Sequence, residues 1–265
     1  MSEEKRHLKL HLIVLALVVI AELIGTKSYK LGPGTIVLLP MLYALLLGLL
    51  TGPKFLKIID KEDMNAAEGL ITVSVMLLMA KYGTNIGPTL PLIIKSGPAL
   101  ILQEFGNLGT ILLGMPFALL LGLRREAIGA TFSIAREPNL AIISDMYGLD
   151  SPEGRGVMGV YVAGTVFGSI FFGLFAGFAA TALPLHPYAL AMASGVGSAS
   201  MMSAAVGALV EIFPNMAEEI TALGAASNLA TGADGVYMSI FMALPMCEWL
   251  YRKLIRDRAE EVIKG

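Results

Sequence analysis

Residues 156–210 run for 55 positions without a single Asp, Glu, Lys or Arg. A soluble domain, in which roughly a quarter of the residues are charged, has no way to hide such a stretch. A helix that crosses a bilayer needs about 20 mostly apolar residues, so the run holds two crossings and the turn between them. Segments 31–53 and 105–123 are equally free of charge. Over all 265 residues, 55% are hydrophobic and 15% charged. The stretch LLPMLYALLLGLL lacks the two-residue alternation of a transmembrane barrel. The chain therefore reads as an all-α integral membrane protein, with the lipid bilayer as its first partner.

Composition also narrows the function. A net charge of −2 with no basic run gives nucleic acid nothing to bind. One cysteine, Cys247, excludes an internal disulfide framework, and His7, His11 and His186 have no metal-ligand spacing. No Walker loop, nucleophile elbow or HExxH motif occurs, so neither an enzyme nor a bound cofactor is expected. Lys5, Arg6 and Lys9 before LIVLALVVIA resemble a signal peptide, but AELIGTKS offers no small-x-small cleavage site. A retained first helix is the reading.

Hydropathy and turn residues predict ten spans, at about 10–26, 34–51, 66–82, 86–104, 106–123, 127–147, 156–181, 187–201, 204–226 and 229–252. Gly32-Pro33-Gly34, Gly52-Pro53 and Leu183-Pro184-Leu185-His186-Pro187 mark turns between them. The sixth span carries Arg136 and Glu137 at its middle. With the N-terminus in the cytoplasm, Lys5, Arg6, Lys9, Lys54, Lys57, Lys61, Arg155 and the basic residues from Arg252 onward fall inside. Lys27, Lys30, Arg124 and Arg125 fall outside. That bias predicts a multi-pass protein of a prokaryotic plasma membrane with both termini cytoplasmic.

The chain also repeats itself. Asn107-Leu108-Gly109-Thr110 returns as Asn228-Leu229-Ala230-Thr231, each opening the last span of its half. Gly34-Thr35-Ile36 pairs with Gly164-Thr165-Val166, and Gly83-Thr84-Asn85 with Gly197-Ser198-Ala199, in the same order. Five spans per half make the second half inverted, an arrangement of many secondary transporters. The expected units are 1–123 and 124–258, with 259–265 a cytoplasmic tail.

Interrupted helices should show as Pro, Gly and polar clusters within apolar spans. The fourth span reads Gly87-Pro88-Thr89-Leu90-Pro91, then Lys95-Ser96-Gly97-Pro98, and the ninth carries Pro214-Asn215. Proline removes a donor, and the carbonyls it frees need protein, water or ligand. Broken fourth and ninth helices that cross would aim their ends at a shared centre. Asn107 and Thr110 share one helix face, as do Asn228 and Thr231, and Asp234 continues the latter. Their oxygens suit Na⁺; bonding across helices is the alternative. Asp234 and Glu218 are the sharpest intramembrane carboxylates, and a proton is the rival coupling ion. Thr84, Asn85, Ser96, Asn107, Ser198, Ser200, Asn228 and Asp234 form the expected substrate site. Arg136 reads either as Glu137's partner or as a clamp for a substrate carboxylate. Gly164, Gly168, Gly173 and Gly177 allow close packing within the chain or a homodimer face.

The stretches LGPGTIVLLPMLYALLLGLL and FSIAREPNLAIISDMYGLDSPEGRG resemble a prokaryotic membrane family known as a domain of unknown function. More distantly, two inverted five-helix halves with broken fourth and ninth helices look like the bile acid:sodium symporter and sodium/proton antiporter architecture. That resemblance implies a mobile core (66–123 and 187–252) working against a panel (10–51 and 127–181). It places the cation on Gln103, Glu104, Asn107, Thr110, Glu218, Asn228 and Thr231. The Asp-Asp pair of electrogenic antiporters is absent from this chain, which argues against simple exchange. The expectation is a secondary transporter of a small polar organic solute, an organic anion or amino-acid-like molecule, coupled to Na⁺ or H⁺. An inorganic-ion exchanger or channel is the alternative.

Overall fold

The computed structural model describes residues 3–31, 34–132, 134 and 136–264. Among the described residues, regular structure is helical apart from one two-stranded hairpin. Helix α1 (Glu3–Ile24) leads into strands β1 (Lys27–Leu31) and β2 (Gly34–Leu38), then α2 (Pro40–Thr51). Helices α3 (Lys61–Lys95), α4 (Gly97–Asn107) and α5 (Gly109–Leu120) follow almost without pause. Next come α6 (Glu126–Thr131), α7 (Arg136–Tyr147), α8 (Pro152–Ala163) and, after a π-turn at Gly164–Gly168, α9 (Ser169–Ala182). The last part holds α10 (Pro187–Ser194), α11 (Ala199–Ile212), α12 (Ala217–Met238), a π-turn at Ser239–Ala243, and α13 (Leu244–Lys264).

Among the described residues, Lys5–Ile24 alone is long and apolar enough to cross a bilayer unaided, with a mean hydropathy of 2.2 and 11% of it buried. The other apolar helices are shorter, among them Pro40–Thr51, Ser169–Ala182 and Ala199–Ile212. This fits a membrane protein, but ten full-length spans are not what the chain builds. The differences have local causes.

The expected second span, 34–51, starts as a strand. GTIVL pairs antiparallel with β1 in the register Lys27↔Leu38 to Leu31↔Gly34, and the expected turn at Gly32–Pro33 lies outside the described residues. β-Branched residues favour this, and α9 receives the strand: the Thr35 amide donates to Thr181 Oγ1 at 2.7 Å. A Cβ on Gly177 would sit 2.8 Å from the Thr35 carbonyl oxygen. Gly168 and Gly173 likewise face Met201 and Ala204 of α11. The glycine stripe is thus taken up by packing inside the chain.

The third and fourth spans merge. Asp60 and Asp63 form a reciprocal capping box that starts α3, and Gly83, Pro88 and Pro91 all lie within the helix rather than in a turn. Ser96 (φ −84°, ψ −2°) and Leu108 (φ −65°, ψ −23°) are helical joints, so the direction of the chain persists from Lys61 to Leu120. The fourth span is thus interrupted at Ser96 without a residue leaving the helical region of the backbone. Gly83-Thr84-Asn85, the expected mate of Gly197-Ser198-Ala199, is plain helix.

The sixth span folds back on itself instead of crossing. α6 stops after six residues, α7 brings the chain back so that Tyr147 joins Arg125 at Glu248, and α8 starts again beside α6. Gly129 and Gly156 make this possible: a Cβ on either would overlap the Glu153 or Glu126 carbonyl oxygen across the contact. Arg155 reaches Glu126 at 3.1 Å, and Arg125 reaches Glu248 at 2.9 Å and pairs with Glu153. Arg125, Arg155 and Arg252 thus gather at one end of the molecule, not on opposite faces as charge bias suggested. Arg6 and Lys9, paired with Glu62 and Asp63, sit at the far end of the α3–α5 rod. Two cytoplasmic termini do not follow from that geometry.

The eighth and ninth spans divide differently: α10 and α11 form a helical hairpin, and the expected ninth-helix break at Pro214–Asn215 is a short turn between α11 and α12. α10 descends from the Leu183–His186 turn, the chain breaks at Gly195–Ser198, and α11 rises beside α9. α12 packs against both arms. One apolar cluster, including Met202, Leu209, Ile220 and Leu223, joins α10, α11 and α12. Another, including Ile111, Met115, Ile128, Ile143 and Cys247, joins α5, α6, α7 and α13.

Candidate functional site

The break in the hairpin is the centre of the polar chemistry. Gly197 takes φ +94°, a left-handed conformation that glycine adopts without penalty, and this lets the chain turn from α10 into α11. Breaking a helix leaves carbonyls without amide partners. Asn228 on α12 supplies the missing donors: its Nδ2 donates to Gly195 O at 2.8 Å and to Gly197 O at 3.2 Å. The Ser198 hydroxyl starts α11 by accepting the Met201 amide at 3.4 Å, and lies 3.0 Å from Ser200 Oγ.

One residue back, the Ser227 hydroxyl lies 2.7 Å from Met192 O and 2.5 Å from Gln103 Oε1. A hydroxyl has one proton for those two acceptors, while Gln103 Nε2 is buried with no partner. Exchanging the Gln103 oxygen and nitrogen resolves both: Nε2 donates to Ser227 Oγ, whose proton goes to Met192 O.

One turn further along α12, Thr231 donates to Glu104 Oε1 at 2.6 Å, and Asn107 donates to Glu104 Oε2 at 2.9 Å. Glu104, Asn107 and Thr231 are all buried. The Glu104 carboxyl also faces that of Asp234, whose Oδ1 is buried without a hydrogen-bond partner. Two carboxyls side by side in a low dielectric repel when both are bare. A proton shared between them, or a small cation, removes the repulsion.

On its other side the break borders a cavity of about 80 Å³. Gly197, Ser198 and Met201 line it from the hairpin, with Tyr161 and Asn139 opposite. Asn139 is held rigid: it donates to Phe132 O at 3.0 Å and accepts from Ser239 Oγ at 2.8 Å. The start of α11 thus borders a small, half-open and mainly apolar pocket, with the Ser198 hydroxyl at its edge.

A family model described as "Protein of unknown function (DUF3100)" matches residues 19–253. The chain belongs to the DUF3100 family. No curated protein and no solved structure matches it, so the likeness to the bile acid:sodium symporter architecture stays an expectation for this DUF3100 member.

The DUF3100 chain brings together Gln103, Glu104, Asn107, Asn228, Thr231 and Asp234, with Ser198 across the break. It separates the others. Glu218 is exposed at the first turn of α12, thirteen residues before Thr231 and therefore about 20 Å away. Thr110 is exposed and bonds its own helix at Asn107 O. Ser200 stays with Ser198 at 3.0 Å on an exposed edge of the break, whereas Ser96 is a joint two turns short of Gln103. Thr84 bonds Lys81 O far up α3. The side chains of Asn85, Arg136 and Glu137 lie outside the described residues. The two Asn motifs are not opposed either. Gln103 meets Ser227, Glu104 meets Thr231, and Arg125 meets Glu248, so α4–α5 and α12–α13 run the same way, whereas inversion mates point oppositely. Ser227 and Asn139 were missed as organisers. Ser227's position beside Asn228 was the one available signal.

Proposed function

We propose that this DUF3100 protein is a secondary active transporter of a small polar organic solute, an organic anion or amino-acid-like molecule, coupled to Na⁺ or H⁺. One observation carries the reading: the break at Gly195–Ser198 lies between the small pocket at the start of α11 and the Glu104–Asp234 carboxyl pair, with Asn228 bonded across it. An anionic group of the solute would sit at the start of α11. The coupling cation or proton would sit between Glu104 and Asp234. Filling the carboxyl site changes the field on α12, and Asn228 passes any shift of α12 to the break. Such interrupted helices near mid-membrane are where secondary transporters bind their cargo.

In this reading residues 66–123 and 187–252 form the moving body and residues 10–51 and 127–181 the panel. The small-residue contact between α9 and α11 is the surface on which they slide. The division into units 1–123 and 124–258 is kept, without requiring the Asn107 and Asn228 helices to be inversion mates. The site lies in a prokaryotic plasma membrane, with the basic C-terminal segment on the cytoplasmic side.

The cavity's size also favours a second reading. About 80 Å³ holds a few waters or one carboxylate, so an inorganic-ion exchanger or channel fits the same site. Thermal-shift measurements with small carboxylates and amino acids, in Na⁺ against K⁺ buffers, identify the solute. Uptake of that solute into proteoliposomes then tests the site. Asp234→Ala and Asn228→Ala should abolish uptake while helical content persists. Wild-type-like uptake by both removes the assignment, and ion flux with no organic solute favours the exchanger.

A further inference from the structure

The pocket beside the hairpin break is floored by one flexible side chain. Met201, in the first turn of α11, lies in a trough of three glycines. A Cβ on Gly168 would overlap the Met201 methyl. On Gly164 it would meet that methyl at 3.5 Å, and on Gly197 it would meet the sulfur at 3.5 Å. Gly164 and Gly168 bound the π-turn before α9, and Gly197 makes the break before α11, so two helix interruptions make room for one thioether. Methionine is unbranched and polarisable, and it moulds to whatever apolar group lies against it.

The described wall above that floor is mostly carbon. Val157, Val160 and Phe132 line it, and Asn139 opposite is already bonded to Phe132 O and Ser239 Oγ. Polar chemistry is left to the rim. The Ser198 and Ser200 hydroxyls lie 3.0 Å apart. One of their two protons is spent between them, which leaves the other to an incoming acceptor. An apolar floor beneath a hydroxyl rim fits a molecule with a hydrocarbon tail and an acceptor head. Volume sets the length of the tail. A dry cavity of about 150 Å³ holds a benzene ring, so one of about 80 Å³ holds about half as many carbons, a tail of about three.

We propose that the solute is an unbranched aliphatic carboxylate, with or without an α-amino group, whose tail of about three carbons ends on Met201. Met201 sets the permitted chain length, and the Ser198–Ser200 rim meets the carboxylate. This deepens the transport reading and rests on it.

Two homologous series, acetate to hexanoate and glycine to norleucine, are titrated against the purified protein by thermal shift. The best binder is then followed into proteoliposomes. Affinity should rise about fourfold with each added carbon, peak near butyrate or 2-aminobutyrate, and fall beyond. Met201→Ala lowers the floor and should move the peak to a tail longer by about two carbons. Gly164→Ala adds a Cβ that meets only the Met201 methyl, at an ordinary contact distance, and should shorten the preferred tail by about one carbon. Met201→Leu keeps the bulk and should leave the peak in place. A Met201 that only packs would give Met201→Ala a lower melting temperature and an unmoved peak, and that result overturns the proposal. So does an affinity independent of chain length, or no binding by either series. A fixed peak with uptake that still requires Asp234 and Asn228 sinks this inference and leaves the transport reading standing. Uptake indifferent to Asp234→Ala and Asn228→Ala removes that reading, and this inference with it.

Discussion

Asn228→Ala tests the idea that a distant side chain keeps the hairpin broken. The wild-type amide satisfies two carbonyls, at 2.8 and 3.2 Å. Each bond contributes about 1 kcal/mol net, and a carbonyl left dry costs up to about 2. Asn228 is half-buried, so water reaches one carbonyl more easily than two, and the expected loss is about 2 to 4 kcal/mol. Asn228→Asp should lose more, because a carboxylate has no proton to donate and faces two carbonyl oxygens. Ser198→Ala, which removes one cap at the same break, should cost only about 1 kcal/mol. The assay is reversible unfolding in mixed micelles, followed by far-ultraviolet circular dichroism. The diagnostic quantity is coupling. Gly197→Ala forces a side chain into the left-handed region, and its cost should overlap with that of Asn228→Ala rather than add to it. An Asn228→Ala protein within 0.5 kcal/mol of wild type, or strict additivity with Gly197→Ala, would refute the reasoning.

Other predictions follow from the same contacts. Gly129→Ala sets a Cβ against backbone with no flexible side chain to yield, so it should destabilise by about 3 kcal/mol or more in thermal unfolding; an unchanged midpoint would mean α6 and α8 are not in contact. The Lys9 ammonium, backed by the Asp60 amide and Arg6, holds the Asp63 carboxyl below its ordinary 3.8. A depressed carboxyl stabilises above its unfolded value and loses that contribution as pH falls through the folded one. Melting should therefore be steady near neutrality and drop below about pH 4, and Asp63→Asn should shrink the drop. Spin labels at Lys61 and Lys95, in a Cys247→Ser background, should report about 50 Å for one continuous helix; a distance below half of that would show Gly83–Pro91 reversing the chain.

Much was legible from residue order alone. Charge-free runs and their lengths identify a helical membrane protein, because transfer free energy is local and sums along the chain. The Asn-Leu-x-Thr motifs and Asp234 drew attention for a similar reason: amide, hydroxyl and carboxylate groups are costly in an apolar span and so require partners. Reversals were less legible. Segments 61–95 and 126–155 have the hydropathy of spans, yet one runs straight through two prolines and the other doubles back. In apolar sequence nothing local separates a helix that continues from one that turns. The choice belongs to the neighbours, here Gly129 and Gly156 meeting backbone to backbone.

The site shows the same division most sharply. Its chemistry was written in Glu104, Asn107, Asn228, Thr231 and Asp234, but the partnerships were not. Glu104 and Thr231 stand 127 residues apart, and Asn228 reaches back 31 to 33 residues to carbonyls that any residue type would carry. A carbonyl becomes a ligand only when its own helix releases it. That depends on a left-handed Gly197 and on a donor delivered from another helix, so only the assembled structure could decide where the break would fall.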